Sequence, residues 1–154
     1  MEIITIPDSR LRKKSKKINP EQIADKKFQQ FILDLAKTMK VDNGVGIAAP
    51  QVGENIRVII IDTENGPTAY INPKIIWKSF RKEIGEEGCL SVPGIWGLVK
   101  RSRSVIVTCL DKNGVKKRIR AKNLFARVFQ HEIDHLNAIL FTDRMTKETS
   151  KKIN

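Results

Sequence analysis

The chain has 154 residues, and its 29 Lys and Arg against 17 Asp and Glu give a formal net charge of +12. This length predicts one domain, over residues 1–154, that buries about 68–70% of its unfolded surface and needs no disulfides. No apolar run approaches the roughly 20 residues of a membrane span. Two cysteines exclude a secreted disulfide scaffold, and the first residues lack a signal-peptide pattern. We therefore expect a cytoplasmic protein without a membrane partner.

The positive charge is scattered, with one dense stretch over residues 10–17. Such a surplus attracts polyanions, nucleic acid included, but it is also typical of an ordinary solvated surface. No aromatic-interleaved basic motif or zinc-finger spacing predicts sequence-specific reading of nucleic acid. Charge therefore names no function by itself.

The first predicted element is a helix that begins at Asn19, because Asn19 can cap it, Pro20 suits its first turn and Gln22 completes a capping box. Apolar residues then recur at steps of three and four up to Met39, and the helix ends at residues 42–44. Residues 44–53 contain three glycines and are predicted to form a loop.

Short β-branched runs predict several strands further along the chain. Pro73 separates two of them, since proline cannot donate to a ladder. Asn113–Gly114 is a hairpin turn signal between the last two, and Val105, Val107 and Cys109 share one face by alternation. The predicted strands are 57–62, 69–72, 74–80, 99–110 and 115–120.

A helical period returns at residues 123–137, where Leu124, Val128, His131 and His135 follow one another at steps of four, three and four. These residues form one stripe, so both histidines are expected to point into the protein. The predicted fold class is α+β, with short, mostly antiparallel strands packed around this second helix and with an N-terminal helix. A short polar tail is expected from about residue 146.

His131, Glu132 and His135 form an HExxH motif. Two histidines four residues apart on a helix lie one turn apart on the same side, where both can bind one metal ion, and the glutamate can serve as general base. The alternative is a pair of core histidines bonded to the backbone, which leaves two buried imidazoles to be satisfied separately.

A catalytic metal usually has three protein ligands, so a third must come from elsewhere in the chain. Glu148 lies downstream, as zincin proteases require, but among polar tail residues. Cys89 lies in a glycine-bordered segment and is the other candidate, although it also suits a free thiol or a nucleophile. Cys109 fits the buried face of a strand and is expected to be a core residue.

Four segments together resemble the peptide deformylase family. They match its opening segment and its three motifs in the right order, and they span nearly the whole chain. They are Ile6–Arg12, Gly44–Gln51, Glu87–Ser91 and Gln130–Leu136.

The resemblance implies a metal-dependent hydrolase that removes the formyl group from the N-terminal formylmethionine of nascent polypeptides and releases formate. It implies one divalent ion, commonly Fe²⁺, with Zn²⁺, Ni²⁺ or Co²⁺ able to replace it, on three ligands. Glu132 matches the catalytic carboxylate, and the Gln51 amide and Leu90 backbone N–H match the oxyanion donors. The matching metal ligands are Cys89, His131 and His135.

The same resemblance implies a formylated nascent peptide as partner. Gly46 and Gly88 would let the backbone run close to this peptide, and Val45, Leu124 and Val128 are expected to line an apolar pocket for the methionine side chain. We expect a monomer whose basic surface contacts the ribosome.

The chain departs from the family in three places. Ser9 replaces a frequent proline, Ala138 stands where many members have glycine after the metal helix, and the tail is too short for the C-terminal helix that is implicated in ribosome docking. Two rival functions remain open at this stage: a zincin-type endopeptidase, and a basic RNA-binding module that has lost catalysis.

Overall fold

The computed structural model describes residues 1–151, which form an α+β fold with two antiparallel sheets. The sheets are assembled around a central helix, and a second helix covers the outside of the larger sheet. The predicted fold class is confirmed.

The first helix begins later than the sequence pattern predicts. The Asn19 capping box is present, but it caps only a 3-10 turn over Pro20–Ala24. Asp25 is extended, and its side chain accepts a hydrogen bond from the Lys27 N–H to start helix α1, Lys26–Val41. Two good capping residues six positions apart therefore divide the predicted helix, whereas its end at residue 41 agrees with the prediction.

The larger sheet has five strands in the order β1-β2-β3-β6-β7, all paired antiparallel. The segment predicted as a loop contains its edge strand β1 and a following 3-10 turn, Ala49–Val52. The strands are β1 Gly46–Ala48, β2 Val58–Thr63, β3 Gly66–Lys78, β6 Ser104–Leu110 and β7 Lys116–Lys122.

Pro73 does not divide β3 into two strands, as the sequence pattern predicts. The pairing of β3 with β6 shifts register between Ile71 and Lys74, so the proline lies in a bulge where no ladder donor is required. Asn72 has a φ of +51° at this bulge and donates its N–H to the Arg57 carbonyl. The predicted turn between β6 and β7 is confirmed, with Gly114 at a φ of +79°.

The smaller sheet has three strands in the order β4-β5-β8, namely β4 Lys82–Cys89, β5 Val92–Ser102 and β8 Met145–Glu148. The predicted strand 99–110 is therefore wrong, because the chain leaves this sheet after Ser102 and enters the larger one at Ser104. The predicted tail is also wrong at its start, since Met145–Glu148 pairs with β5.

Helix α2, Asn123–Leu136, lies in the centre, as its sequence period predicts. It packs on one face of the larger sheet, on which Val105, Val107 and Cys109 are buried, while α1 packs on the other face. A short helix α3, Phe141–Arg144, closes a third apolar cluster against β5. No helix within residues 1–151 is long and apolar enough to cross a membrane.

Candidate metal centre and active site

The structure brings Cys89, at the end of β4, to the two histidines of α2. His131 and His135 lie one turn apart with ring centroids separated by 5.2 Å, and His135 Nε2 is 3.3 Å from Cys89 Sγ. The ligand atoms of all three side chains lie within 4.8 Å of one another. Glu148, the alternative third ligand, is exposed on β8 and outside this group.

The chemistry of this group fits a divalent metal ion. One thiolate and two imidazoles are ligands that zinc and other borderline-soft ions accept. His135 is 1% exposed, and its Nδ1 has no hydrogen-bond partner within residues 1–151. Burial and the nearby positive groups, chiefly His131, hold the pKa of His135 well below its ordinary value, so it is kept in the neutral form that binds metals.

The orientation of His131 is set by Glu87, which the sequence analysis gave no role. Glu87 Oε1 lies 2.8 Å from His131 Nδ1, so the ring presents Nε2 towards Cys89 and His135. Burial by itself raises the pKa of Glu87, but hydrogen bonds with His131 and Arg101 hold it below its usual range. Burial also disfavours charged His131, yet its hydrogen bonds with Cys89 and Glu87 raise its pKa.

Glu87 belongs to a buried network of charges behind the metal ligands. Arg101 binds both Glu87 oxygens, at 3.0 and 2.9 Å, and reaches Asp134 Oδ2 at 2.6 Å. Arg127 donates to Glu87 at 2.6 Å, and Arg144 donates twice to Asp134. No local sequence pattern indicates this network, because Arg101 stands in a polar stretch beside Lys100, Ser102 and Arg103.

Glu132 lies beside the ligands and lines the cavity, and it is 4% exposed. Its Oε2 has no hydrogen-bond partner in the described part of the chain. Burial raises the pKa of Glu132 to about 7, with the charge of Glu87 adding to the effect and His131 and Arg101 opposing it. A Cβ on Gly46 would lie 2.7 Å from Glu132 Oε1 and 2.9 Å from Val128, so only glycine lets β1 approach α2 here.

The Gln51 side chain is held in one orientation by the backbone. Its Oε1 accepts a hydrogen bond from the Ala48 N–H at 2.9 Å, which directs the amide nitrogen to Ser91 Oγ at 3.2 Å and towards Cys89 Sγ at 3.6 Å. Leu90 follows Cys89 in the turn between β4 and β5 and lines the same cavity. Both expected oxyanion donors therefore lie next to the Cys-His-His group.

A cavity of about 500 Å³ opens over these residues. It lies between β1, at the edge of the larger sheet, and β4, at the edge of the smaller one. Most of the residues expected to contact substrate line it, namely Val45, Gly46, Gly88 and Val128. A Cβ on Gly88 would lie 2.6 Å from the Trp96 ring, so glycine is required for this close approach.

Leu124 is the exception among the expected substrate-binding residues. It is 66% exposed and is absent from the cavity wall. It lies in the first turn of α2, before the helix enters the space between the sheets, so its place on the helical stripe does not bury it. The expectation that Leu124 lines the pocket is wrong.

Residues 1–151 match the sequence profile of the family described as polypeptide deformylase. The chain is 47% identical over 150 residues to the peptide deformylase of Dictyoglomus thermophilum, which covers 97% of this chain and 95% of the relative. This chain belongs to the peptide deformylase family. Peptide deformylases are hydrolases, and the reaction of this family member is removal of the formyl group from the N-terminal formylmethionine of nascent polypeptides.

Solved structures of the family agree with this assignment. A peptide deformylase from Synechococcus elongatus in complex with actinonin superposes with a TM-score of 0.90 at 41% identity, over 96% of this chain and 79% of that one. A Met-Ala-Ser-bound class I type b peptide deformylase from Acinetobacter baumannii gives 0.89 at 33% identity, over 94% and 98%. The deformylase fold thus extends over nearly all of this chain.

Proposed function

We propose that this deformylase uses Cys89, His131 and His135 to hold its metal ion and Glu132, Gln51 and Leu90 to hydrolyse the formyl group. The observation that carries the proposal is the convergence of three ligand atoms within 4.8 Å beside a buried, partly unpaired glutamate. Both features face a cavity between two sheet edges. Hydrolysis and substrate binding therefore have one common location.

The proposed cofactor is a single Fe²⁺ ion, and Zn²⁺, Ni²⁺ and Co²⁺ suit the same ligands. A divalent ion bound there supplies Lewis-acid activation of water and of the formyl carbonyl. The charge network fixes the ligands before the ion binds, since Glu87 orients His131 and Arg101 holds Glu87. Such support of the ligands is what a rigid metal site requires.

Glu132 is the proposed proton carrier of the reaction. Its carboxylate takes a proton from the attacking water and delivers it to the amine as the formyl C–N bond breaks. One water is consumed, and formate and a free N-terminal amine are released. The unpaired Oε2 of Glu132 is available for this transfer because no other group in residues 1–151 occupies it.

Gln51 and Leu90 are proposed to stabilise the negative charge that develops on the formyl oxygen. The Gln51 amide is already oriented by the Ala48 N–H, so it does not need to reorganise during the reaction. The Leu90 N–H belongs to the turn that immediately follows Cys89. Removal of one such donor typically costs about 2.7–4 kcal/mol of transition-state stabilisation.

The formylated peptide is proposed to bind as an added strand along the cavity. The free edges of β1 and β4 present backbone groups there, and Gly46 and Gly88 keep the approach open. Val45 and Val128 offer apolar surface to the methionine side chain. The Met-Ala-Ser peptide bound to the Acinetobacter relative supports a peptide of this kind as ligand.

We also propose that residues 1–154 act as one catalytic domain, as a monomer in the cytoplasm, and that the basic surface contacts the ribosome. The net charge of +12 supports the last point. Because the substrate is a nascent chain, a contact with ribosomal RNA would bring enzyme and substrate together.

The test compares the two cysteines of the chain. Anaerobically purified Cys89→Ala protein should lose its bound metal and its release of formate from formyl-Met-Ala-Ser, whereas Cys109→Ala protein should keep both. Elemental analysis of the unchanged protein identifies the ion. Full metal content in Cys89→Ala would contradict the proposed ligand set, and cleavage of an internal peptide bond without formate release would instead indicate a zincin-type endopeptidase.

A further inference from the structure

One face of the larger sheet is uncovered beyond α1. The residues of β6 alternate between the two faces: Val105, Val107 and Cys109 are buried towards α2, while Ile106, Thr108 and Leu110 point the opposite way. On that opposite face Leu110 still packs against the α1 cluster. Ile106 and Thr108, further along the strand, remain partly exposed.

The strand register places an aromatic residue and several cations on this open face. Trp77 pairs with Ile106, which pairs with Arg120, so the three form one row across β3, β6 and β7. Lys74, Thr108 and Arg118 form the neighbouring row in the same way. Lys116 and Lys122 lie on the same face of β7, opposite Leu110 and Ser104. We call this set the open face: Lys74, Trp77, Lys116, Arg118, Arg120 and Lys122.

The charges of the open face are not neutralised by the protein. Strands β3, β6 and β7 contain no Asp or Glu. Within residues 1–151 the five cations of the open face make no salt bridge, and all five are exposed. One of the five unpaired cations is on β3 and four are on β7, on either side of the uncharged β6. Together they create a concentrated positive potential that favours a polyanion.

Trp77 distinguishes this surface from a merely basic one. It is 51% exposed near the end of β3, in a part of this strand that pairs with β6 alone, and its row also contains Arg120 and neighbours the row of Lys74. An exposed aromatic ring within a positively charged surface is the combination by which proteins bind single-stranded nucleic acid: the cations contact phosphates and the ring stacks on a base. Acidic proteins and anionic membranes would use the cations without such stacking.

We propose that the open face binds single-stranded RNA through phosphate contacts of its five cations and stacking of Trp77. This site rests on the proposed contact with the ribosome and names the surface that makes it. The open face lies on the side of the sheet opposite α2, so bound RNA leaves the metal-centre cavity accessible to a nascent peptide. RNA rather than DNA is expected because the nascent chains that this enzyme acts on are made on ribosomes, which contain RNA.

The stacking is tested by tryptophan fluorescence, because the chain has two tryptophans. Trp96→Phe leaves Trp77 as the sole tryptophan, and Trp77→Phe leaves Trp96. An oligouridylate of about 20 nucleotides should quench the first variant and not the second. Absence of quenching in Trp96→Phe protein would overturn the stacking on Trp77.

The phosphate contacts are tested by two variants with the same change in net charge. Lys74→Glu/Lys116→Glu/Lys122→Glu changes the open face, and the matched control Lys13→Glu/Lys14→Glu/Lys17→Glu changes the basic N-terminal stretch. The first should weaken oligouridylate binding at least about tenfold and reduce the slope of log K against log salt by about 2, since each contact with a single strand contributes about 0.7. The control variant should change the oligouridylate affinity and the salt slope far less.

Equal weakening by the two variants would overturn the site, because the binding would then follow net charge alone. Polyglutamate provides a polyanion without bases. If it binds the unchanged protein as tightly as oligouridylate does, and binds Trp77→Phe protein equally well, the RNA site is overturned in favour of an acidic protein partner. Both triple variants should release formate from formyl-Met-Ala-Ser at the unchanged rate, which separates this inference from the catalytic proposal. Oligouridylate binding without co-sedimentation with ribosomes would support the RNA site and overturn the ribosome contact.

Discussion

Glu132 is the side chain whose chemistry is simplest to isolate. Glu132→Gln keeps the shape of the side chain but removes its capacity to accept a proton. Because Glu132 is not one of the three converging ligands, the metal should remain bound. We expect kcat to fall by about 10²–10⁴, the usual contribution of a positioned general base, with unchanged metal per chain.

Formate release and elemental analysis of the same preparation check this expectation. Glu148→Gln is the control, because Glu148 is an exposed glutamate on β8 that lies outside the metal-ligand group. It should leave both quantities unchanged. A Glu132→Gln enzyme that retained most of its kcat would assign the proton transfer to another group.

Substitution of Arg101 tests how much the buried charge network contributes to the free energy of unfolding. Its side chain is 4% exposed and binds both Glu87 and Asp134. Arg101→Met leaves these two carboxylates buried with fewer partners, which typically costs about 3–5 kcal/mol of unfolding free energy. Because Arg127 and Arg144 still reach the carboxylates, we expect the lower end of this range.

The neighbouring Arg103 supplies the control. It pairs with Glu83 at 3.3 Å, and both side chains are well exposed, so Arg103→Met should cost at most about 1 kcal/mol. Urea unfolding of the two variants under the same metal conditions gives the comparison. Equal losses would mean that burial of the charges does not determine their contribution.

At the scale of elements, the end of α2 contains a strained residue. Ala138 has a φ of +63°, and its N–H donates to the His135 carbonyl where the helix terminates. Glycine adopts this left-handed conformation without the Cβ clash that alanine has. Ala138→Gly relieves this strain in the folded state, but it also gives the unfolded chain more conformational freedom. Because the first effect is larger, the unfolding free energy should rise by roughly 0.5–1 kcal/mol.

Ala36→Gly is the matched control for Ala138→Gly, since Ala36 lies within α1. There the same substitution should lower stability by about 1 kcal/mol, because glycine is unfavourable inside a helix. Thermal or urea unfolding of both variants measures the difference in sign. Destabilisation by both substitutions would show that the turn after α2 tolerates alanine without strain.

The elements that the sequence predicts well are those whose pattern is local. Helix α2 and the β6–β7 hairpin follow from periodicity and from Asn113–Gly114. The transfer of the chain between sheets at Arg103 cannot be predicted from periodicity. Strands β5 and β6 have similar strand-forming composition, and only their tertiary pairing separates them. Strand β1 is held by its pairing with β2, which overrides its glycine content.

The same distinction applies to the active site. His131 and His135 are four residues apart, so helical geometry alone brings them together. Cys89 joins them only because β4 ends beside α2, which the family resemblance implied and spacing could not. The network around Glu87 has no local pattern, because its arginines come from β5, α2 and α3.

At the scale of the whole molecule, the main core contains two groups that ionise at high pH. Burial raises the pKa of Tyr70 to about 12, with a contribution from Cys109, and it raises the pKa of the Cys109 thiol to about 11, where Asp111 adds and Lys117 opposes. Both residues belong to the cluster between the larger sheet and α2. The folded state therefore favours the protonated form of both groups.

This requirement makes stability depend on alkaline pH. In the unfolded chain a cysteine loses its proton near pH 8.5 and a tyrosine near pH 10, whereas the folded protein retains both protons to higher pH. The stabilisation is complete below about pH 8.5 and is lost as pH rises towards 12, because the unfolded state then binds fewer protons. Urea unfolding at a series of pH values from 8 to about 11.5 should show this fall.

Two substitutions test whether these groups cause the fall. Tyr70→Phe removes only a hydroxyl and should flatten the dependence above about pH 10, while Cys109→Ala should flatten it from about pH 8.5 upwards. The slope against pH is compared rather than the stability itself, so the small cavity left by Cys109→Ala does not affect the result. Unchanged slopes in both variants would show that neither Tyr70 nor Cys109 causes the alkaline loss of stability.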